Sequence, residues 1–174
     1  DKFISLDERA RIANSQNVDF FISVHANASR SKWVSGVEVF YISEQIDDNT
    51  RSKKTAKNYD PDVDSKVTGA KTEAIVWDLI HSDNRASSRE MAEYVCSSLS
   101  QSLTQKNRGT KQARFYVLNG TNTPAILIEV GFISNPTEEK KLTESSYCGK
   151  IAQAVTDGIL QYNRTNSQEY YSRN

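Results

Sequence analysis

The chain has 174 residues, 37% hydrophobic and 25% charged, a size that suits one domain, with room for an insertion, and can bury a core. Lys and Arg together number 22, as do Asp and Glu, so the formal net charge is zero; this argues against a generally basic nucleic-acid binder and against an acidic solvating protein. No apolar run approaches the roughly 20 residues that span a bilayer, and two Cys with two His argue against a disulfide-stapled scaffold and a closed His/Cys zinc site.

The sequence opens on Asp1-Lys2 and runs almost at once into a helix signal, which predicts a start inside a longer chain. Ser5-Leu6-Asp7-Glu8 is a capping box, and the helix behind it is predicted to run to about Asn14 with Leu6, Ala10 and Ala13 on one stripe. Val18 to Val24 is short, apolar and rich in β-branched and aromatic residues, which predicts a strand buried on both faces. It leads into His25-Ala26-Asn27-Ala28, and Gly36 to Ser43 reads as a second strand.

Glu44 to Gly69 holds four lysines and six Asp or Glu with almost no large aliphatic residues, the composition of an exposed insertion. Thr72 to His81 is a short helical pattern that makes His81 a solvated helix-end residue, with metal binding a minor reading. Ser87-Ser88-Arg89-Glu90 offers a second capping box, followed by a helix whose apolar face is Met91, Ala92, Val95, Cys96, Leu99 and Leu103. Ala113 to Leu118 and Ala125 to Val130 are predicted strands, and Asn135-Pro136-Thr137-Glu138 starts a short helix. The last helix places Ile151, Ala152, Val155, Ile159 and Tyr162 on one side, and 163–174 reads as a fraying polar tail.

This order predicts a single α/β domain, a mixed or mainly parallel sheet flanked by helices, with ligands at the carboxyl ends of the strands. Glu129 is the most informative residue, because a carboxylate in the apolar run Ala125 to Val130 needs a compensating partner or a solvated cleft. It is either a salt-bridged structural group or a general acid or base with a shifted pKa. Ser23, His25 and Asn27 alternate at period two and share one face, so His25 leaves its strand as a ligand-facing residue or as a satisfied structural one. Cys96 lies on an apolar helix face and Cys148 begins the last helix; whether they pair is open.

Three strings carry a resemblance: Leu6 to Asn14, Asp19 to Ala28 followed by Gly36-Val37-Glu38-Val39, and Ala125-Ile126-Leu127-Ile128-Glu129-Val130-Gly131-Phe132-Ile133-Ser134-Asn135-Pro136. Together, over about 1–162, they resemble the zinc-dependent N-acetylmuramoyl-L-alanine amidases of the type-3 amidase family. The resemblance implies hydrolysis of the amide between N-acetylmuramic acid and L-alanine in peptidoglycan, with His25 a zinc ligand and Glu129 the catalytic carboxylate. It also implies a place in the periplasm or outside the cell, as an autolysin or cell-separation enzyme. The family's Gly-His-Gly-Gly segment and the ligand Glu after it have no counterpart here, and Glu8, Glu38 and Glu44 do not match that Glu. The expectation is therefore a catalytic domain without its N-terminal strand and helix. Some division-associated members carry a segment that covers the cleft until an activator protein displaces it, which the stretch from Glu44 to Glu73 parallels; a plain solvated loop is the alternative. Two competing functions remain: a peptidoglycan-binding or regulatory module without a complete metal site, and another zinc hydrolase of similar fold acting on peptides.

Overall fold

A computed structural model describes residues 2–16, 18–42 and 69–172 of the chain, with side chains from 82 to 168 in the last range. In chain order the elements are α1 (Leu6–Ser15), β1 (Phe21–Asn27), β2 (Val37–Ile42), α2 (Gly69–Leu103), β3 (Asn107–Ala113), α3 (Tyr116–Asn119), β4 (Ala125–Phe132), α4 (Pro136–Leu142) and α5 (Ser145–Ser172). The strands form one mixed sheet in the order β1-β4-β2-β3: β1 lies parallel to β4, β2 parallel to β3, and β2 antiparallel to β4.

The alternation of side chains along a strand gives this sheet two distinct faces. On one, Ile126, Ile128 and Val130 of β4 and Val37 and Val39 of β2 pack against Met91, Ala92, Val95, Cys96, Leu99 and Leu103 of α2 and Ile151, Ala154 and Tyr162 of α5. Every α2 residue of the predicted apolar face is buried. On the other, Ala125 and Leu127, with Phe21 and Phe40, pack under Val117 and Leu118. Ala10 and Ala13 of α1 are buried too, and Asn14 ties that helix down by donating to the Gly120 carbonyl (2.9 Å) and accepting from the Asn122 N–H (2.8 Å).

Several elements differ from the sequence expectation. β1 begins at Phe21 and is an edge strand open on part of its length, with Val24 57% exposed, because β4 is its only described neighbour. The second capping box is absent and α2 is continuous, so His81 lies inside a helix instead of at its end. Ser87 is interior to the helix and is no N-cap, and the hydroxyl of its neighbour Ser88 donates to the Asn84 carbonyl (2.5 Å) one turn back and accepts from the Ala125 N–H (2.8 Å), a helix-to-strand bridge. β3 is Asn107–Ala113, and Tyr116–Asn119 forms one helical turn in place of a strand. On α5, Ala154 rather than Ala152 faces the core, and the helix continues through the expected tail to Ser172, where Tyr94 Oη donates to Thr165 Oγ1 (3.1 Å). The capping position at Ser5 holds, with its Oγ accepting from the Glu8 N–H (3.3 Å), and so does the one at Asn135, whose side chain accepts from the Thr137 and Glu138 N–H groups. The stretch 44–68 lies outside the described residues. Cys96 is a buried and Cys148 an exposed free thiol.

α2 and α5 approach closely at Gly158, where an added Cβ would stand 2.7 Å from Val95 Cα and 3.1 Å from its nitrogen. Gly-to-Ala inside a helix ordinarily gains up to about 1 kcal/mol. Here the backbone contact outweighs that gain, and Gly158→Ala is expected to lose about 1–3 kcal/mol, seen as a drop of several degrees in Tm by calorimetry. An unchanged or higher Tm would show that the helices separate at no cost.

Candidate active site

The second sheet face is apolar only where α3 covers it. Beyond that cover the same parity continues with polar residues: Phe21 gives way to Ser23 and His25, Ala125 and Leu127 give way to Glu129, and Phe40 gives way to Glu38. β4 places Glu129 in register with His25 of parallel β1 on one side and Glu38 of antiparallel β2 on the other. Since β2 runs the opposite way, its amino end meets the carboxyl ends of β1 and β4, and all three side chains reach one end of the sheet. Neighbouring strands lie about 4.8 Å apart, so the three groups form a row about 10 Å long.

His25 is exposed, and Ser23 Oγ lies 2.8 Å from its Nε2. The Ser23–His25 ladder therefore stands as the alternation predicts. Asn27 instead turns along the sheet: its Nδ2 donates to Glu38 Oε1 (2.8 Å), and its Oδ1 accepts from the Ala28 N–H (2.7 Å).

Glu38 is 4% exposed, and its other oxygen accepts from Arg108 Nε (2.9 Å) and Lys111 Nζ (2.5 Å) of β3. Burial is the strongest influence on this carboxyl and pushes its pKa up, but the bonds to Lys111 and then Arg108, with their charges, together outweigh it, so Glu38 titrates below the usual carboxylate range and is ionised. Arg108 also lies over the Phe132 ring, 5.2 Å from its centroid, and Lys111 over Phe40 at 5.7 Å.

Glu129 has the opposite environment. Its Oε2 is buried without a hydrogen-bond partner. Loss of water, followed by the negative charge of Glu38, raises its pKa to about 7. Two carboxyls facing each other across a strand pair thus have their pKa values pushed apart: Glu38, bonded on both oxygens, is lowered, and Glu129, without a partner on Oε2, is raised to about 7.

Glu138 of α4 frames this end of the sheet. It is 3% exposed, and its two oxygens accept from the Gly36 N–H and the Phe132 N–H, both at 2.8 Å, joining the start of β2 to the end of β4. Sequence reasoning singled out neither Glu38 nor Glu138 as functional, nor Arg108 and Lys111. Glu38 carried the signal used for Glu129, a carboxylate inside an apolar run (Val37-Glu38-Val39-Phe40). Its cationic partners lie about 70 residues away, beyond the reach of local pattern.

Among the described residues no three His, Cys, Asp or Glu side chains are grouped closely enough to hold a metal ion. A catalytic zinc takes three protein ligands; His25 and the orphaned Glu129 oxygen supply part of a donor set and do not by themselves fit the ion.

The chain is thus a single α/β domain whose helix-flanked mixed sheet brings an imidazole and a carboxyl of raised pKa side by side at the carboxyl ends of two parallel strands. Residues 1–161 match the sequence profile of the family described as N-acetylmuramoyl-L-alanine amidase, and the chain belongs to that family. It is 29% identical over 167 residues to N-acetylmuramoyl-L-alanine amidase AmiA of Escherichia coli K12, covering 93% of this chain and 58% of that protein's length. The N-acetylmuramoyl-L-alanine amidase of Clostridium difficile 630 superposes with a TM-score of 0.68 at 27% identity, covering 94% of this chain and 68% of the other. The amidase CwlD of Clostridioides difficile, solved in complex with the GerS lipoprotein, superposes with a TM-score of 0.66 at 25% identity, over 92% of this chain and 62% of that one.

The pKa of Glu129 makes stability depend on pH. Below 4.5 the group is protonated in both folded and unfolded chains; between 4.5 and about 7 only the unfolded chain ionises it, so stability falls as pH rises through that window. The full shift corresponds to about 3 kcal/mol, reduced to about 1–2 kcal/mol because water reaches part of the group. Glu129→Gln, which cannot ionise, is expected to be as stable as wild type at pH 4 and more stable by that amount at pH 8. Parallel stability–pH curves from urea melts of the two proteins would contradict an unpaired, raised Glu129.

Proposed function

We propose that this protein hydrolyses the amide bond between N-acetylmuramic acid and L-alanine in peptidoglycan, at the cell envelope, in the periplasm or outside the cell. The observation that carries this reading is the Glu129 carboxyl, with its pKa near 7 beside His25, in a chain of this family. Among the described residues no helix is long and apolar enough to cross a membrane.

At neutral pH both protonation states of Glu129 are populated. The carboxylate takes the proton of the attacking water, and the resulting acid delivers it to the departing amine of L-alanine. Partial burial and the charge of Glu38 together keep the affinity for that proton high between the two transfers. Zinc dependence is part of the proposal, with His25 as one ligand and the others supplied from outside the described residues. The segment 44–73 is proposed as the place where an activator protein acts. An activator is suggested by the lipoprotein bound to CwlD, a relative of similar fold.

The absence of a three-ligand group among the described residues favours one competing reading, a module that binds peptidoglycan without cleaving it. Incubation of the purified protein with zinc and sacculi separates the two: the enzyme retains zinc and releases stem peptides with a free L-alanine amine, whereas the module is retained on sacculi and releases none. In an active protein, Glu129→Ala is expected to reduce release about 100-fold or more with bound zinc retained. His25→Ala is expected to lose the metal, measured by elemental analysis, together with activity. Near-normal release by Glu129→Ala would remove that residue from the chemistry. Deleting 44–68 is expected to raise release without an activator; unchanged release from a folded deletion variant would make the segment a plain loop.

A further inference from the structure

We propose that Asn27 is a positioning residue for the hydrolytic reaction: its side-chain amide spans strand β4 and holds the Glu38 carboxylate opposite Glu129. This rests on the amide-hydrolysis reading above, and adds to it how the two carboxylates are kept in their places.

The strand order makes the contact unusual. β1 and β2 are not neighbours, because β4 lies between them. A hydrogen bond from Asn27 on β1 to Glu38 on β2 must therefore pass over β4, a gap of about 10 Å between the outer strands, yet it closes at 2.8 Å. A sheet irregularity permits it. His25 pairs with Glu129 but Asn27, two residues later, pairs with Phe132, so β4 carries an extra residue at this point. Gly131 sits in that bulge with φ +153°, a conformation that disfavours a side chain.

The amide is fixed at each of its ends. The Asn27 carbonyl accepts from the Ile133 N–H (2.8 Å), which anchors the backbone, and Oδ1 accepts from the Ala28 N–H (2.7 Å), which sets which way the NH2 group points. On the carboxylate, Arg108 and Lys111 both use Oε2, while Asn27 bonds Oε1. The two cations lie on β3, beyond β2 and away from Glu129. Asn27 is the counterweight: it holds one oxygen toward the β4 side while the cations hold the other. Without it the carboxylate is free to turn toward β3, and Glu129 loses the charge that faces it.

A positioning role acting through Glu38 predicts non-additivity. Glu38→Gln breaks the same bond, because its carbonyl oxygen is drawn to the two cations and its NH2 then faces the NH2 of Asn27. The test is a double-mutant cycle on the full chain with zinc present: wild type, Asn27→Ala, Glu38→Gln and the double variant. Stem-peptide release from sacculi supplies kcat and KM, and urea melts supply stability. The expected result is a loss of kcat of about tenfold or more for each single variant with KM within twofold, and a double variant no worse than the poorer single one. The unfolding equilibrium is expected to show coupling of about tenfold or more, as for a hydrogen bond to a charged group. Independent, multiplying losses of kcat, or an Asn27→Ala protein with wild-type kcat, would overturn the proposal. If Asn27→Ala does not fold, Asn27→Ser takes its place, since its hydroxyl can still accept from Ala28 but is too short to reach Glu38. A wild type that releases nothing overturns the hydrolytic reading; the span across β4 is then judged by the stability cycle, where additive changes overturn it.

Discussion

The site depends on one electrostatic constraint: Glu38 and Glu129 occupy directly opposed positions on antiparallel strands at the centre of the sheet. Like charges so placed repel and destabilise the pairing. The fold resolves this by unequal treatment. Glu38 receives two cations and an amide, stays charged and is almost completely enclosed. Glu129 receives none of these donors, so at neutral pH the repulsion is relieved by partial protonation. The raised pKa of Glu129 thus follows first from its own burial without a partner and second from the charge that a well-satisfied Glu38 retains.

The rest of the architecture serves this asymmetry. β4 is flanked on both sides, by β1 and β2, and its inward parity builds the main core through Ile126, Ile128 and Val130. Its other parity changes from apolar to ionisable within two residues, from Leu127 to Glu129, where the cover of α3 ends. A strand held this firmly on one face can carry an unsatisfied group on the other, since the cost at Glu129 is small against the burial opposite it. The Glu138 clamp between the ends of β2 and β4 acts in the same sense, fixing the register that puts the two carboxylates across from each other.

Local pattern disclosed the elements whose signal is local. The apolar face of α2, the strands at Val37–Ile42 and Ala125–Phe132, and the caps at Ser5 and Asn135 follow from periodicity and side-chain chemistry within a few residues. Ser87 and Glu90 show where this ends: they have the spacing of a capping box yet lie inside a continuous helix, where the neighbouring Ser88 hydroxyl bridges to a distant strand. Asn107–Ala113 contains no large apolar residue and owes its strand form to pairing with β2, while the more apolar Phe115-Tyr116-Val117-Leu118 turns into a helix under the sheet. In the site, Glu129 and His25 were legible as an isolated carboxylate and a strand-end imidazole. Their neighbour Glu38 was equally visible as a type of residue, but its meaning came from register, which no single strand reveals.

That register also explains why the proton affinity of Glu129 rises without escaping the neutral range. Full burial of an unpaired carboxyl carries pKa values well above 7, whereas Glu129 keeps part of its surface in water and faces a carboxylate whose charge is shared with Arg108 and Lys111. Taken together, Glu38, Glu129, Arg108 and Lys111 carry one net positive charge with Glu129 protonated and none with it ionised. Proton loss therefore separates no charge that the sheet does not already balance. Replacing either cation would leave Glu38 less neutralised and make Glu129 harder to ionise, so the two β3 residues, which touch Glu129 nowhere, belong to the same acid–base unit through the carboxylate they hold.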